Sequence, residues 1–221
     1  MKRLSIILTL SWAVCFNIAA QESSSIKSKE FSLGVGSVLY NGDLGDGYQP
    51  GGLMGSVGIK MNTEKKLNSN FHILFGSFSG QELDFEFPEN ENGAPNTYFN
   101  TSFFGVHYEL AFNIINKPRF KLYISQGLGF VRFQPKDEFG EKLINQPDTR
   151  DLGEDYRNLT FMLPSQIGVR YTLNNGYSLG LQSGFLNTMT DYLDNISIWG
   201  QKDGNDNLLN ARFLIFIPIE F

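Results

Sequence analysis

LNARFLIFIPIEF, residues Leu209 to Phe221, closes the 221-residue chain and decides how the rest is read. In an extended strand successive side chains point to opposite faces. Phe213, Ile215, Ile217, Ile219 and Phe221 therefore share one face, while Arg212, Phe216, Pro218 and Glu220 share the other. The first face is continuously apolar and the second carries charge.

The same period of two recurs upstream in segments of about ten residues. With Leu209 to Phe221 there are eight: Phe31 to Tyr40, Gly51 to Met61, Asn70 to Ser79, Ser102 to Phe112, Phe120 to Phe133, Thr160 to Leu173 and Tyr177 to Leu186 are the others. In the sixth, Phe161, Leu163, Ile167, Val169, Tyr171 and Leu173 oppose Gln166, Gly168, Arg170 and Thr172. Nothing between the segments has a helical period. A strand tilted across a bilayer needs roughly 9 to 11 residues, and a closed barrel is the one sheet without unpaired edges in lipid.

The connections alternate in length. Asn62 to Ser69, Asn113 to Arg119 and Asn174 to Gly176 are short; Asn41 to Pro50, Gly80 to Thr101, Gln134 to Leu159 and Asn187 to Leu208 are long. With both termini in the periplasm, every long loop falls outside the cell. The expected fold is all-β, an eight-stranded antiparallel transmembrane β-barrel of the bacterial outer membrane. Its competitor is a secreted eight-stranded lipocalin-like or jelly-roll domain with the apolar faces turned inward. Glycines on the less apolar face (Gly34, Gly36, Gly58, Gly76, Gly105, Gly168, Gly180, Gly184) favour the crowded interior of a narrow membrane barrel.

The first 20 residues read as a signal peptide. Lys2 and Arg3 precede the apolar stretch Leu4 to Ile18, and Ala19 and Ala20 form a small-residue cleavage site. Residues 21–30 then form a polar, flexible leader and 31–221 the barrel. Cleavage removes the single cysteine, Cys15, whose alternative role as a lipid-attachment site is disfavoured by Trp12 three positions earlier. The mature chain then has no disulfide, catalytic thiol or thiolate-bound metal. With 18 Lys and Arg against 23 Asp and Glu, and no basic cluster in the sequence, nucleic acid is not an expected partner. Outer-membrane lipid is the expected surrounding.

Inside the barrel the pattern places Lys60, His107, Glu109, Arg170, Arg212 and Glu220. Charges away from water must be paired, so this set reads as a structural ion-pair network, with a lumenal relay or binding site as the alternative. Catalysis by a nucleophile needs a serine beside an oriented base, and neither His72 nor His107 adjoins one. A barrel enzyme would require His107 and Glu109 to face a serine at the rim. Asp203, Asn205, Asp206 and Asn207 invite a calcium reading, but Leu208 stands where an EF-hand requires glycine, so solvated turn residues are expected. The expectation is no catalytic residues, no cofactor, no metal and no small-molecule substrate. The loop Gly80 to Thr101, with Phe85, Phe87, Pro88, Pro95, Tyr98 and Phe99, either binds something outside or shields the rim.

Two stretches carry a resemblance: Tyr40 to Gly45, which includes Gly42, Asp43 and Leu44, and Thr190 to Ser197, which includes Asp191, Tyr192, Leu193 and Asp194. Together with the export signal and eight strands, they resemble the PorG-like family of small outer-membrane barrels of Bacteroidota, components of the type IX secretion machinery. In the family the second stretch reads Thr-Asp-Tyr-Leu-Asp-Asp-Val-Ser, and here Asn195 and Ile196 replace its last Asp and Val. The resemblance implies a barrel that associates, on its periplasmic side, with the lipoprotein-containing ring of that machinery. Read from the residues alone, Tyr192 is a rim aromatic and the acids cap turns. Phe221, a terminal aromatic on an amphipathic last strand, resembles the signal by which outer-membrane barrels are recognised for assembly. The alternative function is a stand-alone barrel of the OmpA or OmpX kind, in envelope integrity or adhesion.

Overall fold

The computed structural model describes residues 29–45, 47–82, 94–200 and 204–219. The expected signal peptide, most of the leader, Phe85, Phe87, Pro88, Asp203, Glu220 and Phe221 lie outside them. Eight strands follow in order: β1 Lys29–Asn41, β2 Gln49–Met61, β3 Leu67–Gln81, β4 Tyr98–Asn116, β5 Phe120–Lys136, β6 Leu159–Thr172, β7 Ser178–Thr188 and β8 Asn207–Ile219. Each pairs antiparallel with the next, and β1 pairs with β8 from Lys29↔Ile219 to Asn41↔Asn207, closing the barrel. Closure leaves no edge strand to be hydrogen-bonded by anything else.

The faces settle which way the grease points. Leu53 and Val35 are 77% and 66% exposed on the outer wall, whereas Arg212 and Glu109 are 2% and 0% exposed within. Phe71, Phe75, Phe104, Phe130, Phe161, Leu181 and Phe213 continue the outer belt around the barrel. Apolar outside and charged inside is the arrangement lipid demands and the reverse of a lipocalin. The interior glycines make room for large interior side chains. A β-carbon at Gly168 would lie 2.4 Å from the Tyr123 ring, one at Gly180 3.0 Å from Phe216, and one at Gly58 2.6 Å from the His72 imidazole.

The strands differ from the sequence expectation in their ends. β1 begins at Lys29, so Lys29 and Glu30 belong to the barrel and not to the leader. β4 and β5 run 19 and 17 residues, longer than a membrane crossing needs, and Tyr98 and Phe99 belong to β4 rather than to the loop. β4 gains residues at both ends, 98–101 and also 113–116, which the sequence assigns to the short connection; on the side of the long connections β4 and β5 rise beyond the hydrocarbon and keep pairing because Phe99, Phe103, Val131 and Phe133 fill the mouth between them. Pro164, which has no N–H, interrupts the β5–β6 ladder. Two side chains take up the stranded carbonyls: Gln126 Nε2 donates to Pro164 O at 3.0 Å, and Asn187 Nδ2 to Leu163 O at 2.9 Å.

Candidate functional site

The interior divides into a charged lower half, towards the termini, and an apolar upper half beneath the long loops. In the lower half, alternation along β1, β2, β4, β6 and β8 turns Glu30, Lys60, His107, Glu109, Arg170 and Arg212 inward, all nearly inaccessible. Arg170 Nη2 donates to Glu30 Oε1 at 2.5 Å and to Ser178 Oγ at 2.8 Å. The guanidinium also lies 4.9 Å over the Phe216 ring, and Lys60 Nζ lies 4.7 Å over Tyr123. Higher in the lumen, His107 Nε2 meets Glu109 Oε1 at 2.8 Å while Ser125 Oγ donates to Glu109 Oε2 at 3.0 Å. His72 stacks on His107 with ring centroids 5.1 Å apart, and Arg212 Nη2 donates to Gln182 Oε1 at 2.9 Å.

This arrangement suits structure better than chemistry. Glu109 stands between Ser125 and His107, so the serine donates to a carboxylate and no imidazole accepts its proton. His72, His107 and Glu109 each bring a donor atom within 4.8 Å of the other two, a set that suits a dication in principle. In this lower half, however, the buried Lys60, Lys121, Arg170 and Arg212 already outnumber the buried Glu30 and Glu109, and a dication would raise that imbalance in a medium that screens poorly.

The upper half is a plug built from the outer loops. Leu44 from the β1–β2 connection, Leu143 and Tyr156 from β5–β6, and Leu193, Ile196 and Trp199 from β7–β8 pack on Tyr40, Phe78, Phe99 and Phe133 of the wall. Tyr40 stacks on Phe78 at 5.7 Å and meets Phe99 edge-on at 4.8 Å. Its hydroxyl donates to Asp194 Oδ2 in a short hydrogen bond and lies 3.3 Å from Asp206 Oδ1. Asp194 Oδ1 accepts from Ile196 N at 2.8 Å, and Asp206 Oδ2 from Leu193 N at 2.7 Å. Burial pushes the Asp194 carboxyl up to about 7, with the Asp43 and Asp191 charges adding to it. Burial and the charge of Asp194 push Asp206 up as well. Gly42 permits the approach, since a β-carbon there would strike both the Tyr40 hydroxyl and the Asp206 carboxylate.

Asn195 ties the loops together. It sits at φ 76°, a left-handed conformation that asparagine tolerates better than most residues. Its Nδ2 donates to Thr149 Oγ1 at 2.7 Å and Asn96 Oδ1 at 3.0 Å, and its Oδ1 accepts from the Tyr156 hydroxyl at 2.8 Å. An aspartate could not make the first two bonds, so asparagine here is chemistry that the loop network uses. Asp43, Asp191 and Asp206 also bring oxygens within 4.8 Å of one another, but the Asp206 oxygens already serve the plug.

Lys60, His107, Glu109, Arg170 and Arg212 lie together in the lower lumen. His72 and Glu30, absent from the expected set, join them: Asn70, His72 and Leu74 alternate inward on β3, and Glu30, Ser32 and Gly34 on β1. The two motif stretches meet in the plug. Asp43 and Leu44 are buried, and Asp194, fully enclosed, caps its turn through Ile196 N while its other oxygen meets the Tyr40 hydroxyl. Tyr192 is half-buried on the β7–β8 connection, stacked on Tyr156 at 4.6 Å. Asp206, read as a solvated turn residue, is 1% exposed and supports the plug.

No known family model matches the chain, and no curated protein matches it in sequence. Its architecture does match solved structures. Ail, the attachment invasion locus protein of Yersinia pestis, solved in complex with the heparin analogue sucrose octasulfate, aligns with a TM-score of 0.51 at 8% identity, covering 88% of this chain and 100% of that one. Neisserial surface protein A aligns with a TM-score of 0.51 at 9% identity, over 86% of this chain and 96% of its own. At such identities the likeness is one of fold. The chain is a closed eight-stranded barrel of the outer-membrane type, and its apolar girdle places it in that membrane.

Proposed function

We propose that this outer-membrane barrel is a non-enzymatic structural or assembly component of a type IX protein secretion or gliding apparatus. The observation that carries the reading is the meeting of the two family-like stretches: Tyr40 and Asp194, 154 positions apart, share a buried hydrogen bond at the heart of the plug. Residues that resemble a family pattern at two distant places, and that depend on each other in space, form one unit of structure. A plugged mouth and a lumen filled with large charged and polar side chains suit a barrel that works through its surfaces and not as a pore. Ser125 and Glu109 meet deep in the wall, out of reach of any substrate at the rim, which supports the non-enzymatic part of the reading.

On this reading the periplasmic side contacts the lipoprotein-containing ring of the machinery. Affinity purification of the full chain from native outer membranes in mild detergent tests it. Co-purification of ring lipoproteins supports the reading, and recovery of the barrel without them, after cross-linking in intact cells, refutes the contact. A second reading, a stand-alone barrel in envelope integrity or adhesion, draws on the breadth of the loop assembly, which joins four connections through Leu44, Asn96, Thr149 and Asn195. Binding of the purified barrel to host or matrix surfaces would favour it.

A further inference from the structure

Charge is distributed very unevenly between the two ends of the barrel. The four outer connections, residues 42–48, 82–97, 137–158 and 189–206, hold eighteen of the 23 acidic residues and only four basic ones. At the other end, the β2–β3 turn carries Glu64, Lys65 and Lys66, the β4–β5 turn carries Lys117 and Arg119, and the β6–β7 turn carries no charge. Lys65, Lys66, Lys117 and Arg119 are all exposed. Glu64 lies 3.8 Å from Lys121 Nζ, which donates to Thr63 O at 2.6 Å, so the one acid of these three turns faces a cation of its own.

The two basic turns are fastened to each other. Asn113 N donates to Lys66 O at 2.8 Å, Asn113 Nδ2 to Lys65 O at 3.0 Å, and Asn116 Nδ2 to Glu64 O at 3.4 Å. The four cations therefore stand on a single braced platform over β2 to β5, on one side of the barrel. Its height is fixed by its neighbours. Lys66 Nζ lies 4.9 Å over the ring of Phe112, and Phe112, Ile114 and Phe120 are exposed on the lipid-facing wall. Aromatic rings at the edge of an apolar belt mark the level where hydrocarbon gives way to headgroups, so cations just beyond them meet lipid phosphates.

We infer that Lys65, Lys66, Lys117 and Arg119 form a binding platform for the phosphate headgroups of anionic phospholipids in the periplasmic leaflet. An acidic protein surface would also be attracted to four cations. The position of Lys66 against a lipid-facing ring, rather than on a tip projecting into the periplasm, favours lipid. Each basic side chain near an anionic surface favours binding by about fivefold at low salt, and the effect is screened within a Debye length.

The test uses the full-length mature barrel, refolded in a neutral detergent and titrated with phosphatidylglycerol or phosphatidylcholine of matched chains, with bound lipid counted by native mass spectrometry. The expected result is at least tenfold preference for phosphatidylglycerol, weakening with salt. The preference should vanish in the variant carrying Lys65→Gln, Lys66→Gln, Lys117→Gln and Arg119→Gln. Gel mobility that changes on boiling shows that the variant folds; should it fail, pairs of substitutions, one turn at a time, should each reduce the preference. Equal binding of the two lipids, or a preference that survives the substitutions in folded protein, overturns the inference, as does binding of an acidic peptide to the platform in place of lipid. Each of these leaves the secretion reading standing, because none depends on the machinery.

Discussion

Leu193→Ala isolates the plug from the barrel. Leu193 is 1% exposed, within the cluster that includes Leu44, Phe99 and Ile196, and it belongs to a loop that can move without unzipping a strand. Truncating a buried leucine costs about 2 to 5 kcal/mol, least where the surroundings can relax. A loop can relax, so a cost of about 2 to 3 kcal/mol is expected here, equivalent to roughly a 30- to 150-fold rise in the open population of the plug. The backbone bonds of this residue, Thr101 Oγ1 to Leu193 O and Leu193 N to Asp206, survive the substitution, so the effect reports side-chain packing. Hydrogen exchange by mass spectrometry on the refolded barrel reads it. Amides of residues 189–206 should exchange faster by that factor while those of β4 and β5 stay protected. Unchanged exchange in the loop would refute a packed plug, and faster exchange throughout the strands would refute its independence from the wall.

Three further outcomes follow from the geometry. Because Asp194 is held up at about 7 and Asp206 is also raised, the docked plug binds protons more tightly than the open loop; its stability is fullest below about pH 4 and declines as pH rises to about 7. The protection factors of the loop amides, which divide out the intrinsic pH dependence of exchange, should fall between pH 5 and pH 8 in the native chain and much less so in Asp194→Asn, and a flat or rising profile would contradict the burial of these acids. Glu30→Ala leaves the Arg170 guanidinium buried without its carboxylate and should cost about 3 to 5 kcal/mol, whereas Glu30→Gln combined with Arg170→Met should cost far less; urea titration of both variants reads the difference, and equal losses would argue against a buried pair. Gly168→Val drives a side chain into the Tyr123 ring and should lower the urea midpoint by an amount worth about 1 to 3 kcal/mol, a loss that Tyr123→Leu should partly restore.

Alternation makes the wall legible in the sequence itself. Phe213, Ile215, Ile217 and Ile219 announce a lipid face by themselves, and Arg170 and Arg212 fall inward by the same period. Glu30 was hidden because it ends a run of polar residues that reads as leader, although Glu30, Ser32 and Gly34 continue the inward series. The length of β4 was hidden for a different reason. Near the mouth the inside is apolar too, with Phe99 and Phe103 inward, so the contrast between faces that marks a strand fades where the plug begins. Asp206 and Asp194 were illegible because a single aspartate among asparagines has the composition of a solvated turn. Their burial depends on Tyr40, more than 150 positions away, and no local pattern encodes such a contact.

The proposed role of this plugged outer-membrane barrel in type IX secretion is tested most directly by the secreted-protein profile of a strain lacking the gene. Cargo of the pathway should disappear from the medium and return on complementation with the full chain. Unchanged secretion, in cells where the barrel is otherwise expressed and assembled in the outer membrane, would contradict the proposed role.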